Sequence, residues 1–193
     1  KKNITLYTMI LEQERVIIVY YDLPMGLLLE HGIDILSSQN MLREKSFIQH
    51  GGLSCYDHSL FVAYMSLVIA KKMRLNVDVR SLIRGALLHD YFLYDWHVPS
   101  SSNRNHAFKH PHYAYENARV DFNLNEKERD IILKHMFPLT VKPPRFKESY
   151  IVMLADKYCA VYETLAVNRM KMKAEILNSY LENTIKITRE ERE

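Results

Sequence analysis

The sequence predicts an all-α chain, and two observations carry that prediction. Only five glycines and six prolines interrupt 193 residues, and the stretches between them are long and compatible with helix. Where apolar residues are periodic, they recur at steps of three and four. "YDHSLFVAYMSLVIAKKM" shows this with Phe61, Val62, Met65, Val68 and Ile69. The length suits one domain with a sizeable core, and 48% apolar against 25% charged residues is the balance of a soluble globular protein. No internal repeat or low-complexity segment is evident.

The elements follow in order. Residues 1–49 read as short helices in an N-terminal extension packed on the main domain, although "TLYTMILEQERVIIVYY" fits strand as well as helix. Gly51 and Gly52 break the pattern, and Ser54 is placed to cap the helix that follows. Asp78 caps "VRSLIRGALLHDYF", which sets Leu82, Ala86 and His89 on one face. A Ser/Asn-rich loop, "VPSSSNRN", leads to a short helix, "HPHYAYENARVDF", starting near Pro111, where proline is tolerated. Asn125 caps "EKERDIILKHM", with acidic residues in its first turn. After the Pro-rich turn "FPLTVKPPRF", a long helix starts near Lys147 and continues toward the charged C-terminal end. Residues 50–193 thus form the main domain with a helical tail.

Several function classes recede on composition. A net charge of +3 offers no bulk attraction for a nucleic-acid polymer. The most apolar stretch, "RVIIVYYDLPMGLLLEHG", is broken by Asp22, Pro24 and Gly26 and is too short to span a bilayer. Two distant cysteines, Cys55 and Cys159, and no recognisable signal peptide lead to the expectation of a reducing, cytoplasmic setting.

The histidines depart from the ordinary. Seven of the nine lie between His50 and His112. His89 and Asp90 adjoin an apolar run, where two adjacent ionisable residues are costly to bury without partners. His58, His110, His135 and Asp156 are spaced so that each interval (58 to 89, 90 to 110, 110 to 135, 135 to 156) fits one helix and its connection. Five successive helices would then each project one or two ligands into a common cavity. Imidazole with carboxylate suits Fe, Mn or Zn better than calcium.

In this arrangement "YDHSLFVAYMSLVIA", "GALLHDYF" and "IVMLADKYCA" resemble the signature helices of the HD superfamily of metal-dependent phosphohydrolases. Their H…HD…D pattern falls on His58, His89, Asp90 and Asp156. "KHPHYAYENA" and "IILKHMFP" resemble the extra histidine segments of two-metal members such as the HD-GYP phosphodiesterases and diadenosine-tetraphosphate hydrolases, and they add His110 and His135. The similarity covers about residues 50–163.

The resemblance implies an HD-domain-like helical bundle holding two divalent ions. Asp90 would bridge them, with His58, His89 and Asp156 serving mainly one ion and His110 and His135 the other. It further implies hydrolysis of a phosphomonoester or phosphodiester in a nucleotide or related small molecule by metal-activated water. A one-metal nucleotide phosphomonoesterase and a metal-stabilised nucleotide-binding module with little catalysis stay open beside it, as does a homodimer.

One position departs from the family. Many two-metal relatives hold Lys three residues after the HD aspartate and some one-metal relatives hold Glu, whereas this chain has Leu93. Asp95 is then the candidate proton donor to the leaving group, and Lys157 the candidate phosphate contact.

Plainer roles compete at each residue. The ligand candidates would also serve as buried polar groups satisfied by hydrogen bonds. His106 and His112 compete with His110 as ligands. His50 and His97 read as supporting or surface residues, His31 as ordinary and Arg84 as salt-bridged. Arg104, Lys109 and Lys142 read as surface charge. Tyr91, Tyr94 and Trp96 read as core aromatics, with the wall of a base pocket as the alternative. Met65 and Met153 fill core space, and neither cysteine carries a nucleophile signature.

Overall fold

The computed structural model describes residues 15–97 and 105–190. It is all-helical: α1 (Arg15–Leu36), α2 (Gln39–Arg43), a 3₁₀ turn (Glu44–Ser46), α3 (Cys55–Lys72), α4 (Val79–Leu88), α5 (His106–Asp121), α6 (Glu126–Lys134), α7 (Lys147–Leu165) and α8 (Val167–Glu190). Among the described residues the only β pairing is a single bridge between Ile48 and Ser54. No helix there is long and apolar enough to cross a membrane.

The expected caps form. Ser54 Oγ accepts from Asp57 N at 3.1 Å, and Asp78 Oδ1 accepts from Ser81 N at 3.1 Å. Asn125 and Glu128 close a reciprocal capping box at the start of α6. Glu128 is also buried against Arg80 and Arg84, so the cap is tied to α4. Arg84 completes that network by donating to both oxygens of Asp34 at 2.7 Å, which makes it a structural cation.

Besides the end of α4 at Leu88, three element boundaries differ from the sequence expectation. The N-terminal segment holds a 22-residue helix with Pro24 inside it, followed by the short α2 and a 3₁₀ turn, where only short helices were expected. The described part of the helix-or-strand stretch, from Arg15, is helix, and residues 1–14 lie outside the described residues. Helix α5 begins at His106, several residues before Pro111. The C-terminal helix is interrupted at Ala166, whose φ of −131° and ψ of 41° leave the helical region.

Helix α3 is central and packs chiefly on α4 and α7, while α4 also packs on α1 and α6. The buried face of α3 follows the expected stripe at Phe61 and Val62 and departs from it elsewhere. Ser59, Ala63, Ser66 and Ala70 are buried, whereas Met65, Val68 and Ile69 are only partly so. Small residues let neighbouring helices approach α3 closely, a preference that a search for large apolar side chains misses. Met25, Leu28 and Ile35 of α1 and Met170, Leu177 and Leu181 of α8 join the same core.

A close helix crossing sits at Gly85. A Cβ there would lie 2.4 Å from Cδ1 and 2.9 Å from Cβ of Ile131, so α4 and α6 touch backbone to side chain. His89 ends α4 and His135 ends α6, so this contact sets the spacing between the two histidines. Gly85→Ala is expected to destabilise by about 1–3 kcal/mol through overpacking. Urea unfolding checks this as a lower midpoint with unchanged slope. Gly26→Ala, with nothing within 4 Å of the added carbon, should instead be neutral or stabilising.

Candidate metal centre

The sequence folds so that helix ends, more than helix faces, deliver the ligands. His89 is the C-cap of α4 and His135 the C-cap of α6. Asp90 follows the end of α4, not within the longer helix expected through Phe92. His58 lies in the second turn of α3, His110 in the second turn of α5 and Asp156 midway along α7. All six side chains are buried.

They converge as two groups that share Asp90. Asp156 Oδ1 lies 3.2 Å from His58 Nε2 and 3.6 Å from His89 Nε2. Asp90 Oδ2 faces the same pair at 3.8 and 3.5 Å. Its other oxygen, Oδ1, faces His110 Nε2 at 3.2 Å and His135 Nε2 at 3.5 Å. The ligand atoms of each group, His58–His89–Asp156 and Asp90–His110–His135, lie within 4.8 Å of one another. One carboxylate therefore has an oxygen toward each histidine pair.

The hydrogen bonds behind the rings test whether a metal fits. His89 Nδ1 donates to Ala86 O at 2.7 Å, His110 Nδ1 to His106 O at 3.1 Å and His135 Nδ1 to Ile132 O at 2.8 Å. His58 Nδ1 donates to Glu163 Oε2 at 2.8 Å. Each partner is an acceptor, so each ring carries its proton on Nδ1 and turns a lone pair on Nε2 inward. Two such lone pairs meet at 2.8 Å between His110 and His135, a contact that is favourable only with a proton or a shared cation between them. His89 Nε2 and Asp90 Oδ1 are buried without a hydrogen-bond partner. Orphaned acceptors of this kind are costly unless a cation takes them. The donor set, four imidazole nitrogens and two carboxylates, fits divalent transition metals.

Electrostatics agree with that chemistry. Burial, with the neighbouring His110 and His89, pushes the His135 pKa down to about 3, which keeps it a neutral ligand. Burial alone would raise the Asp90 pKa, but the surrounding His89 and His110 hold it well below the usual carboxylate range. His58 differs: burial opposes its charge, but the Glu163 and Asp156 carboxylates outweigh it and raise its pKa, so this ring would have to give up its Nε2 proton to serve as a ligand.

Two partners escaped sequence reasoning. Gln49 Nε2 donates to Asp90 Oδ2 at 2.5 Å, and Trp96 Nε1 donates to Gln49 Oε1 at 3.1 Å. Glu163, fully buried, holds His58 from one and a half to two turns beyond Asp156 on α7. Spacing gives a weak signal for Glu163, because a residue seven positions after Asp156 returns to the same helix face. Gln49 adjoins His50 and carried no signal of its own.

A cavity of about 760 Å³ opens over the centre. Asp90, His110, His135, Asp156 and Lys157 line it, with His50, His106 and Trp96. Lys157 Nζ donates to His135 O at 3.0 Å. Asp95 is not among the lining residues; it is half-buried, and its Oδ1 accepts from His97 N at 2.9 Å. Leu93, at φ 62°, packs against the core instead of lining the cavity. His112 is exposed and lines a different cleft, and His106 bonds through Nδ1 to the Tyr94 hydroxyl at 2.8 Å. Tyr91 is a core residue, whereas Trp96 faces the cavity. Both cysteines are buried and free, and burial pushes both thiols up, away from nucleophilic character. Arg104 lies outside the described residues.

Glu44 is a buried carboxyl that the centre does not use. Neither oxygen has a hydrogen-bond partner, and burial first, then the negative charge of Asp90, raises its pKa well above the ordinary value of 4.5. The folded chain therefore keeps this proton to higher pH than the unfolded chain, and stability falls as pH rises from 4.5 through the folded value. Glu44→Leu is expected to add about 1–3 kcal/mol at neutral pH and to flatten that decline. Urea titrations at about pH 5 and about pH 8 would show a mutant advantage that grows with pH.

The HD domain family matches residues 55–161. No curated protein and no solved structure gives a significant match to the chain. The matched span contains all six converging ligands. With more than half of its length matched, the chain belongs to the HD domain family, a superfamily of metal-dependent phosphohydrolases.

Proposed function

We propose that the protein is a two-metal phosphohydrolase acting on a phosphomonoester or phosphodiester, in a nucleotide or related small molecule. The observation that carries this reading is the Asp90 carboxylate, whose two oxygens face two separate histidine pairs. His58, His89 and Asp156 would hold one ion, His110 and His135 the other, and Asp90 both. Bound there, divalent ions supply charge stabilisation to a phosphoryl group and a water of lowered pKa.

The chain's own residues do the rest. Gln49 fixes the Asp90 carboxylate, and Glu163 fixes the His58 ring. Lys157 brings a positive charge to the cavity wall for a phosphate oxygen, and burial lowers its pKa. Trp96, Met136, Pro138 and Leu139 provide an apolar wall that excludes water and accepts a flat or apolar substrate part. The cavity volume of about 760 Å³ is that of a nucleotide-sized ligand. Asp95 would donate a proton only to a leaving group that reaches the rim, where it bonds His97. Asp95→Asn should lower turnover while leaving metal content intact, and unchanged turnover would remove it from the mechanism.

The test combines metal analysis with a panel of phosphate esters. Near two equivalents of metal per chain are expected, falling to near one in His110→Ala and in His135→Ala. One equivalent in the wild type, unchanged in both variants, would leave the single-metal phosphomonoesterase. Nucleotide binding without turnover across the panel would make the protein a regulatory module.

A further inference from the structure

A second cleft lies behind the metal centre, between α5, α6 and the segment 136–145. Its volume is about 550 Å³, again within the range of small-molecule sites. Arg129, Lys134, Lys142 and Arg145 line it. Among the described residues none of these four cations is paired with a carboxylate, although ion pairs engage Arg80, Arg84, Arg119 and Lys127 elsewhere. Two of the guanidinium groups are already placed by aromatic rings, Arg129 over Tyr115 and Arg145 over Phe146. Lys134 Nζ is steered by Pro143 O at 3.1 Å.

Two carboxylates share the cleft, and one is spoken for. Asp130 is buried, and its Oδ2 accepts from Arg145 N at 2.8 Å and Ser149 Oγ at 2.7 Å. Glu126 sits at the start of α6, leaving the cations in excess. Pro111, Leu133 and Val141 add apolar walls. Val141, 90% exposed, offers its side chain at the edge of the cleft. Guanidinium forks with lysines suit phosphate oxygens, and the apolar walls suit a base or sugar.

We propose that this cleft is a second binding site, separate from the metal centre, for a nucleotide-sized phosphorylated ligand. It stands independently of the catalytic reading, since none of its lining residues is a metal ligand. Its walls nevertheless adjoin the centre. Pro111 follows His110 and Lys134 precedes His135, while Met136, Pro138 and Leu139 of the shared segment line the catalytic cavity. Occupancy of the cleft is thereby in a position to be felt at the second histidine pair.

Amide NMR of the zinc-loaded protein with α,β-methylene-ADP, a non-hydrolysable nucleotide, tests the proposal. Saturable shifts are expected at Arg129, Val141 and Lys142. The double variant Arg129→Ala/Lys142→Ala, both exposed positions, should weaken that binding by about tenfold or more while any shifts around Asp156 persist. Inorganic phosphate should bind the cleft more weakly than the nucleotide. Cleft amides that do not move, that move without saturating, or that respond identically in the double variant would overturn it. Equal affinity for phosphate and nucleotide would overturn the nucleotide-sized ligand.

Discussion

Asp90→Ala is expected to cost both metal equivalents most of their affinity and to lower phosphate-ester turnover by more than about 100-fold. Removing an outer partner of a metal ligand alone typically costs 10–100-fold, and Asp90 faces both histidine pairs directly. The variant also removes the buried negative charge that four Nε2 atoms surround. Without metal those atoms would be left with lone pairs facing one another, so stability should fall along with activity. Metal analysis and thermal unfolding with and without added zinc separate the effects. A wild type stabilised by zinc beside a variant that is not would place the loss at the centre. Retention of two tightly held equivalents in Asp90→Ala would overturn the bridging assignment. Asp90→Asn is the milder probe, since it keeps one carbonyl oxygen as a ligand but has no second negative charge to share.

How much of this centre the sequence disclosed depends on what kind of residue is asked about. His58, His89, Asp90, His110, His135 and Asp156 stood out as candidates because metal-binding side chains come from a short menu and, His89 and Asp90 apart, each sits one helix from the next; the fold brings them together. The all-helical fold was legible because scarce glycine and proline leave long helical runs. Caps at Ser54, Asp78 and Asn125 were legible because they are local chemistry, decided within three residues.

What spacing left dark was set by contacts across the fold. The end of α4 at Leu88 is one case. A helical pattern continues through Phe92, yet the chain turns at Asp90 and passes Leu93 in a left-handed conformation, φ 62°. That turn also explains the departure at Leu93. The residue packs on the core, so a charged side chain at that position would meet apolar neighbours in this chain. Asp95, two residues on, is carried to the rim by the same turn. The buried face of α3 was read only at Phe61 and Val62 for a related reason, because small residues mark close helix contact only when the neighbour is known. Gln49 and Glu163 are further cases: each is an ordinary polar residue until the fold sets it 2.5 Å from Asp90 or 2.8 Å from His58.

Glu163→Ala carries the second large effect. The Glu163 side chain is fully buried, and both of its oxygens lie against His58 Nδ1, at 2.8 and 3.1 Å. That arrangement fixes the tautomer which turns the His58 Nε2 lone pair inward, and its charge raises the basicity of the ring. Removing it leaves a buried N–H without an acceptor, a loss of about 1–3 kcal/mol in stability. Metal affinity at the His58–His89–Asp156 group should fall about 10–100-fold, while the His110–His135 group keeps its ion. Stepwise removal of metal with a chelator would then show one equivalent released early in Glu163→Ala and both released late in the wild type. Glu163→Gln divides the contribution further. Its amide oxygen still accepts from Nδ1, so stability should recover, whereas affinity should recover only in part because the charge is gone. Equal metal affinity in wild type and Glu163→Ala would mean that packing alone orients His58, and that the carboxylate serves the core and not the metal.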